Sequence, residues 1–160
     1  MIIKDNLLDD IHLTQLEELI NSPYFAWFFQ KEQLAGADDG CWFSHRIYDE
    51  DEPASPSYKP MIEIFKDYLK YVSLCRITVN LLPRQENPSI SDFHTDYDGE
   101  KITTAIFYLN TNNGVTEIKG GDRIDSVRNR LIMFPANTTH RAIGQTDVSQ
   151  RIVINFNFIK

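Results

Sequence analysis

Cys75-Arg76-Ile77-Thr78-Val79-Asn80-Leu81-Leu82 is the stretch whose reading decides the fold. Cys75, Ile77, Val79 and Leu81 are apolar, and Arg76, Thr78, Asn80 and Leu82 between them are largely polar. A period of two belongs to an extended segment with one face on a core. Just upstream the period is helical instead. Met61, Ile64, Phe65, Tyr68, Leu69 and Val72 form an amphipathic stripe, and Pro60 suits a first turn. The spacing predicts a helix packed on a sheet, with the switch to strands after Tyr71.

Downstream the strand pattern continues. Ile102 to Leu109 is rich in β-branched and aromatic residues. Val115 to Lys119, Asp122 to Val127 and Arg130 to Phe134 are shorter strands, and Arg151 to Ile159 is the last. Asn112-Asn113-Gly114 reads as a turn, with Gly114 free to take positive φ, and Gly120-Gly121 and Asn129 separate the later strands. Short strands at this spacing predict a double-sheet roll or sandwich. Upstream, residues 1–35 read as helical, with Thr14-Gln15-Leu16-Glu17 as a capping box. Tyr24, Phe25, Trp27, Phe28 and Phe29 form an aromatic cluster expected in the core, and His12 reads as a surface residue without a partner. Ala35 to Tyr58 is loop-like, except that Cys41 to Tyr48 fits a strand with Trp42, Ser44 and Arg46 on one face.

A chain of 160 residues, 42% hydrophobic and 24% charged, is expected to form one globular domain, 1–160. The net charge of -7 speaks against sequence-independent nucleic-acid binding, which needs a basic footprint. Two cysteines make no disulfide framework, no apolar run spans a bilayer, and the start lacks signal-peptide character, so the expected location is cytoplasmic and no membrane partner is expected.

The chemistry points to His94-Thr95-Asp96. In a strand, residues i and i+2 share a side, so His94 and Asp96 can converge on one ion while Thr95 points away. His140 lies 46 residues beyond His94, room enough for strands to intervene. Two histidines and one carboxylate hold a divalent metal while leaving positions open.

From Leu74 to Ile159 the sequence resembles the catalytic core of a 2-oxoglutarate/Fe(II)-dependent dioxygenase of the prolyl 4-hydroxylase-like kind. The residues that carry the likeness are His94-Thr95-Asp96, Phe107-Tyr108-Leu109-Asn110, Asn113-Gly114, Arg130 to Pro135, His140, and Arg151 eleven residues beyond it. The resemblance implies a mainly β fold with flanking helices, a double-stranded β-helix (jelly roll) spanning about 74–160 on a helical N-terminal support of about 1–73. It makes His94, Asp96 and His140 the Fe(II) ligands. Arg151 and Tyr108 would meet the distal carboxylate of the cosubstrate 2-oxoglutarate, and Asn80 its iron-chelating end. Thr95, Arg141 and Asn155 would orient the ligands. The implied reaction consumes dioxygen, releases succinate and CO2, and hydroxylates a C–H bond, with ascorbate as a supporting reductant. A peptidyl proline or other protein side chain is the first substrate it suggests, and a small molecule stays open, with Gly36 to Tyr58 and Pro83 to Asp92 bordering the opening. Family members often have Gly-Gly where Asn113-Gly114 stands, and many have a Tyr near Asn80 or Leu82, so cosubstrate contacts and substrate class are where this chain departs. A non-catalytic, cupin-like jelly-roll module holding a metal or a partner is the alternative; Arg151 and Tyr108 discriminate, because a plain metal site needs neither.

Overall fold

A computed structural model of the chain describes residues 1–30, 41–99 and 101–160. The end of the helical expectation and the start of the loop expectation, residues 31–40, lie outside the described residues. In chain order the elements are β1 (Ile2–Lys4), α1 (Asp10–Asn21), β2 (Phe28–Gln30), β3 (Trp42–Asp49), β4 (Glu52–Pro53), α2 (Tyr58–Leu69), β5 (Ser73–Pro83), β6 (Ile102–Tyr108), β7 (Asn112–Ile118), β8 (Arg123–Ser126), β9 (Arg130–Pro135), β10 (His140–Ile143) and β11 (Gln150–Ile159). The larger sheet has the order β1-β9-β6-β11-β5-β3-β2, with β4 on β3; the smaller has the order β10-β7-β8. All strand pairs are antiparallel. Residues 89–94 extend the smaller sheet along β10 through bridges Ile90–Ile143 and His94–His140, so the end of the Pro83 to Asp92 segment expected to border the opening is paired backbone.

The alternation read in the sequence fixes what each face does. Ile77 and Val79 of β5, Phe107 of β6, Leu131 of β9, and Ile154, Phe156 and Phe158 of β11 are fully buried on one face of the large sheet. There they meet Leu13, Leu16 and Ile20 of α1 and Met61, Ile64, Phe65 and Leu69 of α2. The other face turns toward the smaller sheet. Ile106, Tyr108, Ile132, Phe134 and Val153 pack there against Ile124 of β8 and Ile118 of β7. At about 25 cal/mol per Å2 of apolar area, the helix-covered face carries most of the hydrophobic stabilisation.

The N-terminal part departs from the sequence reading. It is not helical throughout: residues 1–73 also supply β1 to β4. The cap of α1 is Asp9, whose carboxylate accepts the His12 amide at 2.8 Å, and not Thr14, whose hydroxyl donates to the Asp10 carbonyl at 2.8 Å inside the helix. The Asp wins because its carboxylate sits at the positive end of the helix dipole. His12 has partners after all, the Asp9 carboxylate at 2.9 Å and the Tyr68 hydroxyl at 3.3 Å. The aromatic cluster splits: Phe25 is buried, whereas Tyr24, Phe28 and Phe29 are exposed because short β2 lies at the sheet edge. α2 ends at Leu69, where Lys70 turns left-handed (φ 35°), which leaves Val72 outside the helix and exposed.

Asn112-Asn113-Gly114 is also not a turn. These residues open β7, with a register irregularity between Asn112 and Val115. Gly114 does not have positive φ; the left-handed positions nearby are Gly120 (φ 71°) and Asn129 (φ 64°). Its glycine is required by space. A Cβ there would stand 2.8 Å from Arg151 Cδ and 2.9 Å from the Ile143 carbonyl oxygen.

Candidate metal and cosubstrate site

The site lies where the two sheets face each other. His94 and His140 are direct partners across an antiparallel bridge, with both backbone hydrogen bonds at 2.9 Å. That pairing brings their rings to a centroid separation of 4.6 Å. Each ring is turned by a local backbone acceptor: His94 Nδ1 lies 3.1 Å from the Asp92 carbonyl, and His140 Nδ1 lies 2.9 Å from the Thr138 carbonyl. An N–H donated at Nδ1 leaves Nε2 as the free lone pair, the form a metal ligand needs. Asp96 follows His94 by one strand period, with its amide bonded to the Ala136 carbonyl at 3.0 Å. One ligand atom from each of His94, Asp96 and His140 falls within 4.8 Å of the others.

Asp96 reaches across to the large sheet. Its Oδ2 accepts from Thr104 Oγ1 at 2.6 Å, Asn157 Nδ2 at 2.9 Å and Asn155 Nδ2 at 3.2 Å. Its Oδ1 stays on the histidine side, 3.9 Å from His94 Nε2 and 3.5 Å from Arg76 Nη2. Burial opposes the charge on Asp96, but the Thr104 and Asn157 hydrogen bonds, together with His140 and Arg76, overcome it and hold the carboxyl below its ordinary range. Burial pushes His140 the other way, below the usual histidine value, against the pull of the Thr138 carbonyl and Asp96. The result is a neutral imidazole beside an ionised carboxylate. Of the three residues expected to orient ligands, only Asn155 touches one: Thr95 faces Asp98, and Arg141 pairs with Glu117 at 2.5 Å. Thr104, Asn157 and Arg76 were missed. Their signal was parity, since Thr104 shares a strand face with Tyr108, and Asn157 shares one with Arg151 and Asn155.

The cavity beside the triad, of about 800 Å3, is lined by Asn80, Asn155, Ile106, Val153, Thr116 and Arg151 among others. Arg151 is 1% exposed. Its Nε donates to Ser126 Oγ at 2.8 Å and its Nη2 to Thr116 Oγ1 at 3.3 Å, and its guanidinium lies 5.6 Å from the Tyr108 ring centroid. Among the described residues no carboxylate pairs with it. Burial lowers the pKa of Arg151 and raises that of Tyr108, whose hydroxyl donates to Thr116 Oγ1 at 2.8 Å. Asn80 and Asn155 each leave a buried Oδ1 without a partner among the described residues. A buried cation without a counter-charge is what an anionic occupant would complete, while the two amide oxygens are acceptors that call for a donor such as water. The donor set fits a divalent metal, and this wall fits the distal carboxylate of a 2-oxo diacid.

No protein-family model matches the sequence, and no curated protein does. Solved structures match in fold. A prolyl hydroxylase from Trichoplax adhaerens, in complex with a hypoxia inducible factor oxygen degradation domain peptide, superposes with a TM-score of 0.65 over 99% of this chain and 82% of that one, at 16% identity. A 2OG-Fe(II) oxygenase family oxidoreductase from Burkholderia pseudomallei gives 0.66 over 98% and 84%, at 13% identity. A Pseudomonas putida prolyl-4-hydroxylase gives 0.63 over 99% and 92%, at 13% identity. The chain has the double-stranded β-helix fold of these prolyl hydroxylases and oxygenases, as its motifs implied.

Proposed function

We propose that this chain is an Fe(II)- and 2-oxoglutarate-dependent dioxygenase that hydroxylates a C–H bond of its substrate, releasing succinate and CO2. The observation that carries this reading is Arg151. A protein that only held a metal would have no use for a fully buried guanidinium with no carboxylate partner among the described residues, whose desolvation is costly. A dianionic cosubstrate supplies the missing charge, and the planar fork of arginine suits a carboxylate.

In this reading His94, Asp96 and His140 hold Fe(II), with Nε2 of each ring and Oδ1 of the carboxylate as donors. Bound iron would supply the oxidation chemistry, coupling decarboxylation of the 2-oxo acid by dioxygen to attack on the C–H bond. Thr104, Asn155 and Asn157 fix Asp96 by taking its other oxygen. Arg151 receives the distal carboxylate of 2-oxoglutarate, with Tyr108 and Thr116 setting the floor beside it. Asn80, opposite Val153 on the strand next to Arg151's, would contact the end nearer the metal. The hydroxylated bond belongs to a protein side chain or a small molecule. Among the described residues no helix is long and apolar enough to cross a membrane.

The test is anaerobic. Fe(II)-loaded protein titrated with 2-oxoglutarate should develop a metal-to-ligand charge-transfer band, and admission of oxygen with ascorbate present should yield succinate. Iron binding without that band and without succinate would leave the cupin-like alternative.

A further inference from the structure

The cavity beside the triad is electrically unlike the rest of the chain. In a protein of net charge -7, its lining carries Arg46, Arg76, Arg141 and Arg151 against only Asp92 and Asp96. Arg151 is accounted for by the cosubstrate and Arg141 by Glu117. Arg46 and Arg76 are left over.

These two lie close on the same face of the large sheet. Arg46 of β3 is paired with Thr78 of β5, and Arg76 is two residues along from Thr78, so the arginines are diagonal neighbours. Such positions are on the order of 7 Å apart at Cα, and like charges there repel. The protein neutralises them only in part. Arg46 makes one contact to Asp49, through Nη1 at 2.6 Å, from an exposed position where an ion pair contributes little. Arg76 donates Nε to Asn157 Oδ1 at 3.1 Å, and its Nη2 faces Asp96 Oδ1, the oxygen that a metal would claim. Its Nη1 has no protein partner among the described residues. A register irregularity in β3 directly follows Arg46, a device that re-aims side chains beside sites.

The position also matters. A second cavity, of about 890 Å3, adjoins the first and shares Trp42, Arg46 and Thr78 with it. Its far wall carries the exposed rings of Tyr24 and Phe28. The buried indole Nε1–H of Trp42 has no acceptor among the described residues, so a further donor stands at the same junction. Arg46 lines both cavities, and Arg76 lines the one beside the triad.

Resting on the dioxygenase reading, we propose that Arg46 and Arg76 seat an anionic group of the primary substrate, so that the C–H bond oxidised belongs to an acid. The anionic oxygens are those of a carboxylate or a phosphate. The two guanidinium groups hold them at the groove-cavity junction, on the β3 side of the metal and away from Arg151. The cosubstrate's charge is thereby matched at one end of the cavity and the substrate's at the other.

The test uses the full chain loaded with Zn(II), which is inert to oxygen, and saturated with 2-oxoglutarate so that Arg151 is occupied. Acetate, inorganic phosphate and neutral acetamide are then titrated while the arginine Nε–H resonances are followed by NMR. Acetate or phosphate should shift the Arg46 and Arg76 signals saturably, and acetamide should not. The tighter of the two anions identifies the substrate's group. Arg46→Gln should weaken that binding at least about tenfold, as loss of a charge-assisted hydrogen bond would, while leaving Zn(II) and 2-oxoglutarate affinities within about twofold. Wild-type protein that binds 2-oxoglutarate but shows no anion response, an equal response to acetamide, or undiminished binding in Arg46→Gln would overturn the inference alone. Failure of wild-type protein to take up 2-oxoglutarate would overturn the dioxygenase reading and the inference with it.

Discussion

Replacing Arg151 by Met separates the role of this side chain from ordinary packing, because the two predict opposite signs. Met replaces Arg as far as the position of Nε and keeps the apolar stem, so the core around that stem stays filled and only the space of the guanidinium's outer atoms is opened. Three things are lost: the donors to Ser126 and Thr116, the cation over Tyr108, and the charge itself. Removing one member of a desolvated charge pair costs about 2–5 kcal/mol in binding, and about 1.4 kcal/mol is a tenfold change. Affinity for 2-oxoglutarate should therefore fall by about 30-fold to several thousandfold. Stability without 2-oxoglutarate should not fall in step. The guanidinium is fully buried and has no carboxylate among the described residues to offset its desolvation, so an apolar replacement is expected to leave stability unchanged or raise it by about 1–3 kcal/mol. Urea denaturation of the Zn(II)-loaded wild type and variant, with and without 2-oxoglutarate, reads both quantities. The cosubstrate should stabilise the wild type and not the variant. A variant destabilised by several kcal/mol that still binds 2-oxoglutarate as the wild type does would show that Arg151 is a structural residue and refute the reasoning.

Gly114→Ala places a methyl 2.8 Å from Arg151 Cδ and 2.9 Å from a backbone oxygen, so it should weaken 2-oxoglutarate binding and cost about 1–3 kcal/mol in stability, read by the same titration and denaturation. Thr104→Val deletes the 2.6 Å hydrogen bond to Asp96, so metal affinity measured by competition with a chelator should fall about 10–100-fold, and more steeply toward acid pH as the carboxyl protonates more readily. His45 is buried among Phe25 and Phe28 with no partner for Nδ1 among the described residues, and burial lowers its pKa. Its neutral form therefore belongs to the folded state: the stability it contributes is present above the unfolded pKa of about 6.5 and is lost as pH falls from there toward the lower folded value. His45→Phe should flatten that part of the curve of denaturation midpoint against pH, and an unchanged slope between pH 7.5 and 5.5 would exclude His45 as its source.

The strands were legible because a sheet with one apolar face writes a period of two into the chain. β5, β6, β9 and β11 all fall within a residue or two of their expected positions. By the same parity Arg151 and Tyr108 lie on the side of the large sheet that faces the smaller one. The convergence of His94, Asp96 and His140 was legible because the set of residue types and the i, i+2 spacing of His94 and Asp96 restrict each other. What escaped was set by partners distant in sequence. Whether Tyr24, Phe28 and Phe29 are buried depends on β2 being an edge, which no local pattern records. The glycine at 114 looked like turn chemistry, yet it answers to a side chain far along the chain. Thr104 and Asn157 carry no signature of their own; they matter because Asp96 arrives between them.

The two faces of the large sheet divide the work of the molecule. On the helix side, Ile77, Val79, Phe107, Ile154 and Phe156 are all fully buried among apolar neighbours. On the other side, the same strands present Arg76, Thr78, Asn80, Thr104, Arg151, Asn155 and Asn157, a set that forgoes apolar burial to hold charges in place. Hydrogen bonds tie this polar face together around Asp96, and the uncompensated guanidinium sits apart at its far end. Such an arrangement is stable only because the opposite face contributes enough hydrophobic free energy to carry it. Substitutions under the helices should therefore show up as lost stability with binding intact. Polar-to-apolar substitutions on the cavity face should cost binding while leaving stability equal or greater, the trade-off expected where a site is built from groups the fold would rather not bury.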